Sequence, residues 1–230
     1  MHTWFVFKAF DEAAKAAADF LATNIRASIQ QRDVCHVILS GGSTPPPCLT
    51  YLVARTLPWD KVHWYPGDER CYPRGHAERN DVMLEKYLWS HLGKTNIHTI
   101  PAELGAEAAA AAYREEIQDV ECFDIAFLGM GEDGHTASLF PDNAALTDHR
   151  SVVPVYDSPK PPSERVSLSM DSLKRARQRM VLAKGAAKAG VIKRIKAGEP
   201  LPVNSIGDIN WYVDAAAITT EPTAPSTPSR

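Results

Sequence analysis

Apolar positions along the chain follow two alternating rhythms, short unbroken runs and longer stretches at helical spacing. Residues 3–7 (TWFVF) are aromatic and branched, and predict an opening strand. Asp11 stands where a helix N-cap is expected, and Ala14, Ala17, Ala18, Leu21, Ile25 and Ile29 recur near helical spacing through residues 12–31. The apolar run at 34–39 stops at Ser40-Gly41-Gly42-Ser43-Thr44-Pro45. That pattern marks a strand buried on both faces that turns into a helix. The prolines at 45–47 suit the first turn of that helix, where a missing N–H costs little, and Leu49, Leu52 and Val53 continue it.

The same rhythm repeats downstream. Strands are predicted at 62–65 and 123–128, with helices at 81–92 and 106–118 between them. Further strands are expected at 152–156, 166–169 and 179–183, then a helix over 185–196 and a last strand at 211–213. Strands alternating with helices predict one α/β domain over residues 1–218: a mainly parallel, doubly wound, Rossmann-like sheet with helices on both faces. The proline-rich segment 158–163 is expected to be an extended surface loop. The Thr/Pro/Ser-rich tail 219–230 has little to bury and is expected to be disordered.

Composition narrows the partners. With 230 residues, 44% of them hydrophobic and 23% charged, the chain can bury one ordinary core. A net charge of −3 with no basic block argues against nucleic acid, yet leaves room for a phosphorylated small molecule, because anion capture needs only a few local donors. Cys35, Cys48, Cys71 and Cys122 are widely spaced without a CxxC pair, which fits neither a zinc cage nor a disulfide framework. Residues 3–7 are too short for a signal-peptide core, and no apolar run approaches the ~20 residues of a membrane helix. A reducing cytoplasm and no membrane partner are therefore expected.

In open parallel sheets, ligands bind beyond the carboxyl ends of the strands. Three strand ends here carry distinctive segments. In SGGST, Gly41 and Gly42 allow close backbone approach to an anion, while Ser43 and Thr44 add hydroxyls at a helix start; an ordinary capped turn reads equally well. In GDER, Arg70 can grip substrate oxygens and Asp68 can orient it, the alternative being a solvated charged turn. GMGEDGHT is the most informative. Its glycines carry a strand into a tight loop presenting Asp133 and His135, and a histidine titrates in the range a general base needs. Asp133 is placed to orient that imidazole. The other histidines read as structural or exposed. Lys188, at a helix start after Gly185, and Arg165, before a strand, are candidate phosphate contacts against a default of solvated charge.

Together these segments resemble the 6-phosphogluconolactonases of the pentose phosphate pathway, within the glucosamine-6-phosphate isomerase/deaminase superfamily. The matching pieces are LSGGSTP (39–45), GDER (67–70), Asn80, GMGEDGHTASLFP (129–141), Arg165, GAAK (185–188) and WYVDAAA (211–217). The resemblance implies hydrolysis of 6-phospho-D-glucono-1,5-lactone, with His135 as general base supported by Asp133. It implies that Ser43, Thr44, Arg165 and Lys188 hold the phosphate, with Gly41 and Gly42 giving backbone approach. Arg70 and Asp68 would line the sugar end, and Arg70 or a glycine-loop N–H would meet the oxyanion. Neither metal nor cofactor is implied, and a monomer or weak homodimer is expected.

Arg79 departs from the family pattern, where a small polar residue is usual before the asparagine; it is expected to alter the pocket mouth or add a phosphate contact. Two alternatives remain. An amino-sugar-phosphate isomerase or deaminase would carry an acidic residue after the His loop, where this chain has Phe140. A silent sugar-phosphate-binding domain would not need His135.

Overall fold

A computed structural model describes residues 1–219; the expected disorder of the tail falls, from residue 220 on, outside the described residues. The chain runs β1 (Thr3–Phe7), α1 (Phe10–Arg32), β2 (Cys35–Leu39), α2 (Pro45–Val53), β3 (Val62–Pro66), β4 (Asp68–Arg70), α3 (Asn80–Tyr87), β5 (Asn96–Ile97), α4 (Ala106–Glu116) and β6 (Ile125–Leu128). It continues through β7 (Val152–Val155), β8 (Arg165–Leu168), α5 (Met170–Lys174), β9 (Gln178–Ala183), α6 (Ala189–Lys196), β10 (Asn210–Asp214) and α7 (Ala215–Ile218).

Seven strands form one parallel sheet in the order β1-β10-β9-β6-β2-β3-β5. The chain walks outward from β2 through β3 to β5, then returns to the other side of β2 with β6 and proceeds through β9 to β10. The reversal between β2 and β6 opens a crevice at their carboxyl ends, the position such sheets use for ligands.

Why the strands read as unbroken apolar runs follows from their two buried faces. Along β2, Val37 and Leu39 enter a core shared with α1 and α2, whereas Ile38 enters the core on the opposite face. Ile125 and Phe127 of β6 join the first, Ala126 and Leu128 the second. The alanines of α1 bring its backbone close to the sheet: Ala13, Ala14, Ala17 and Ala18 are fully buried. Among the described residues no helix is long and apolar enough to cross a membrane.

A second sheet, β4-β8-β7, is antiparallel and lies against α4. It corrects the expectation for GDER: Asp68–Arg70 is a short strand of this sheet and not a turn ending β3. Arg165 likewise lies inside β8 and not before it. The expected cap Asp11 sits within the first turn of α1, where its carboxylate accepts from the Tyr51 hydroxyl (2.7 Å); Ala9 is the N-cap, and the Glu12 carboxylate takes the Lys8 and Ala9 N–H groups. The helix expected over 81–92 breaks at Leu88 into α3 and a 3-10 turn.

Candidate active site

The β2–α2 turn, β4, the loop after β6, β8 and the turn before α6 converge on one cleft of about 190 Å³. Gly41, Gly42, Ser43 and Thr44 line it from the first turn, Asp68 and Arg70 from β4. His135, Arg165 and Lys188 complete it, so every expected site residue except Asp133 faces this space. Ser40, Asn80, Gly129, Met130, Gly131, Ala137 and Lys160 line it too. Asn80 entered the sequence reading without a role, and Lys160 belongs to the segment expected to be only a surface loop. A larger depression of about 650 Å³ between α2 and α3 adjoins the cleft through Gly42, Ser43, Arg70 and Asn80.

The His135 loop is built by its own motif. Gly131 N–H donates to the His135 carbonyl (2.9 Å), Gly134 N–H to the Gly131 carbonyl (3.2 Å) and Thr136 Oγ1 to the Gly129 carbonyl (3.0 Å). Ser138 Oγ reaches the Asp68 carboxylate at 2.5 Å and ties the loop to the small sheet. Gly131 is small for a steric reason, since a Cβ there would lie 2.1 Å from His135 Nδ1 and 2.5 Å from Asp133 Oδ1.

Asp133 Oδ1 lies 2.6 Å from His135 Nδ1 and also accepts the His135 backbone N–H at 3.1 Å. Burial acts to raise the Asp133 carboxyl, but the hydrogen bonds and charge of His135 outweigh it and hold its pKa at about 2. The carboxylate therefore stays ionised at neutral pH, assigning the ring proton to Nδ1 and leaving Nε2 as the proton acceptor. Phe140 packs on the imidazole with ring centroids 4.5 Å apart.

The rest of the cleft is strongly cationic. Arg70 and Arg165 are directly opposed across β4 and β8, a like-charge pairing that destabilises a sheet unless something negative lies between. Burial lowers the pKa of Arg165, with the Arg70 charge adding to it against the pull of Asp68. Its guanidinium also does unexpected work: Nη2 donates to the carbonyls of Lys160 (3.0 Å) and Pro161 (3.1 Å), and Nε to that of Pro162 (3.4 Å). Arg165 thus anchors a loop as well as facing the cleft. Lys188 ends a 3-10 turn (Ala186–Lys188) whose Gly185 N–H is gripped by the Asp214 carboxylate at 2.9 Å.

The β2–α2 turn differs from a standard helix-terminus site. The first three residues of α2, Pro45, Pro46 and Pro47, have no N–H to offer. Donors must come from the turn itself, and among the described residues the N–H groups of Gly41 through Thr44 have no protein acceptor. Gly41 serves packing more than ligand approach: a Cβ there would fall 1.8 Å from Asn80 Oδ1. Asn80 in turn donates to the Asp68 carbonyl (2.7 Å) and carboxylate (3.1 Å), so Asp68 is largely committed to holding Asn80 and Ser138 together.

Behind β4, Glu69 is fully buried (0% exposed) and accepts the backbone N–H groups of Arg70 (2.8 Å), Asn80 (2.7 Å) and Asp81 (2.8 Å). Burial pushes its pKa up to about 7, against the lowering effect of those three bonds. One side chain thereby fixes Arg70 and the start of α3 together. Of the two roles expected for Arg79, the phosphate contact is corrected, while the residue does line the larger depression adjoining the cleft. It is 2% exposed, and its guanidinium is committed to Asp81, Glu103 and the carbonyls of Tyr72 and Ile100, so it adds no phosphate contact.

Comparison with known proteins places the chain in a family. The family model described as glucosamine-6-phosphate isomerases/6-phosphogluconolactonase matches residues 8–211. The chain is 33% identical to the 6-phosphogluconolactonase of Mycobacterium tuberculosis, over 92% of this chain and 95% of that protein. It is 37% identical to the human 6-phosphogluconolactonase over 78% of each. The crystal structure of the Thermotoga maritima 6-phosphogluconolactonase superposes with a TM-score of 0.88 at 26% identity, covering 93% of this chain and 100% of that one. With a parallel sheet, a His loop and a cationic cleft arranged in this way, the chain belongs to the glucosamine-6-phosphate isomerase/6-phosphogluconolactonase family.

Proposed function

We propose that this chain hydrolyses 6-phospho-D-glucono-1,5-lactone to 6-phospho-D-gluconate, with His135 as the general base. The observation that carries this reading is the His135–Asp133 pair, 2.6 Å apart, opening onto a cleft lined by Arg70, Arg165 and Lys188. His135 Nε2 takes a proton from a water whose oxygen attacks the lactone carbonyl carbon. Arg70 or a free N–H of the β2–α2 turn meets the oxyanion. Collapse re-forms the carbonyl and breaks the bond to the ring oxygen, which leaves with the proton from the imidazolium. Asp133 keeps the ring oriented and stabilises its charged form.

Ser43, Thr44, Arg165 and Lys188 hold the 6-phosphate remote from the reacting carbon, a division that lets binding energy orient the lactone. The carbonyl is already electrophilic, so the reaction needs neither metal nor redox cofactor. Phe140 beside His135 has no proton to relay, which disfavours aldose–ketose isomerisation or deamination at this site.

The test is His135→Gln. Its kcat is expected to fall by about 10²–10⁴-fold, the usual contribution of general-base catalysis. Calorimetric affinity for 6-phosphogluconate should stay close to that of the unmodified protein. Turnover that survives the substitution removes His135 from the role of base.

A further inference from the structure

Lys160 stands on the proline-rich segment between β7 and β8 and lines the same cleft as Lys188, Arg165 and His135. Among the described residues neither the Lys160 nor the Lys188 ammonium has a hydrogen bond or ion pair. Burial lowers the pKa of Lys188, and the Lys160 charge lowers it further, while Glu132 and Asp133 pull the other way. Two unpaired ammonium groups close enough to repel across one cleft leave room for an anion between them.

The segment is fixed at its backbone and free at this side chain. Ser158 N–H donates to the Ser163 carbonyl (3.0 Å), and Ser158 Oγ to the Lys160 carbonyl (3.0 Å). The buried Arg165 guanidinium gathers the carbonyls of Lys160, Pro161 and Pro162. Lys160 itself is exposed. The β2–α2 turn offers N–H groups and hydroxyls but no cationic side chain, so the positive charge of the cleft comes from Arg70, Arg165, Lys188 and Lys160.

From this geometry we infer that Lys160 is a substrate-binding residue, closing over the phosphate of the lactone opposite Ser43 and Thr44, and that Arg165 is its positioning residue. The inference rests on the lactonase reading above. It makes Lys160 a determinant of specificity for the phosphorylated over the unphosphorylated lactone, with no part in the proton transfers.

The experiment is steady-state kinetics of Lys160→Ala and Lys160→Arg on 6-phospho-D-glucono-1,5-lactone and on glucono-1,5-lactone, with calorimetric binding of 6-phosphogluconate. One rim-exposed charge-assisted contact implies a rise of about 5–10-fold in KM and in Kd for the phosphorylated ligands in Lys160→Ala, with kcat nearly unchanged. Lys160→Arg should recover most of that loss, and kcat/KM on the unphosphorylated lactone should not move. An unchanged KM and Kd in Lys160→Ala, with the unmodified protein active, overturns the inference alone. A matched fall on both lactones together with a lower melting temperature also overturns it, making Lys160 a structural residue. Absence of phospholactone turnover in the unmodified protein overturns the lactonase reading itself.

Discussion

At the scale of single residues, the site is held by side chains that never meet the substrate. Arg79 is the plainest case. Burial of its guanidinium is offset by Asp81 and Glu103, and Arg74 and Arg79 together hold the Glu103 carboxyl at about 2 against the raising effect of its own burial. Removing one partner of such a network leaves buried charges uncompensated. Arg79→Ser is therefore expected to destabilise the fold by about 2–4 kcal/mol, since Asp81 and Glu103 keep some water contact. Thermal denaturation beside steady-state kinetics checks this: a lower melting temperature with KM unchanged is expected. A raised KM at unchanged stability would give Arg79 the phosphate role that its sequence position suggested. Nothing local in the sequence announces the burial of Arg79, because its partners Glu103 and Ile100 are brought to it by the fold. The His135–Asp133 pair was legible for the opposite reason: the histidine, its carboxylate partner and the glycine that makes room for them lie within five consecutive residues.

Among elements, β2 and β3 carry different chemistry at their two ends. The carboxyl end of β2 leads into the β2–α2 turn and that of β3 into β4, while near their amino ends His36 and His63 are paired in register. His63 Nδ1 lies 2.9 Å from His98 Nε2, His98 Nδ1 lies 2.6 Å from Glu116, and His36 Nδ1 lies 3.0 Å from the Tyr65 hydroxyl. Burial lowers the His63 pKa to about 4, helped by the charges of His36 and His98; burial also lowers His36, opposed by Asp124. A depressed histidine pKa means the unfolded chain binds the proton more readily. Its contribution to stability is complete above the unfolded value near ~6.5 and is lost as pH falls toward the folded value. Glu69, raised to about 7, acts with the opposite sign between its ordinary carboxylate value and that pH. The difference in unfolding free energy between the unmodified protein and His63→Asn isolates the histidine: it is expected to shrink as pH falls from 6.5 to 4 in denaturant titrations. A pH-independent difference would contradict this.

The central strands β2 and β6 were readable because burial on both faces makes them nearly unbroken apolar runs that end in glycine-rich turns. β4 was not. Its three residues are all charged, and its partner β8 lies far along the chain, so only the folded sheet explains why Asp68, Glu69 and Arg70 are a strand. β5, with two residues, had too little pattern to read.

For the molecule as a whole, the two sheets divide the labour. The parallel sheet delivers the His135 loop and the β2–α2 turn at its point of reversal, and the antiparallel sheet brings Arg70 and Arg165 against them. Ser138 and Asp68 join the two at 2.5 Å, so the His135 loop and the cations are positioned relative to each other. Such rigidity serves a reaction whose reacting carbon and anionic anchor sit at opposite ends of one small molecule. The proposed reaction is addition of water to a phosphorylated lactone in this cleft. Its most direct test is the initial rate on freshly generated 6-phospho-D-glucono-1,5-lactone, coupled to 6-phosphogluconate oxidation in the presence of EDTA, beside the same protein offered glucosamine 6-phosphate. Rapid lactone turnover above the spontaneous rate, with no ammonia or fructose 6-phosphate from the amino sugar, is the expected result. Lactone hydrolysis no faster than the spontaneous rate, or conversion of the amino sugar instead, would contradict it.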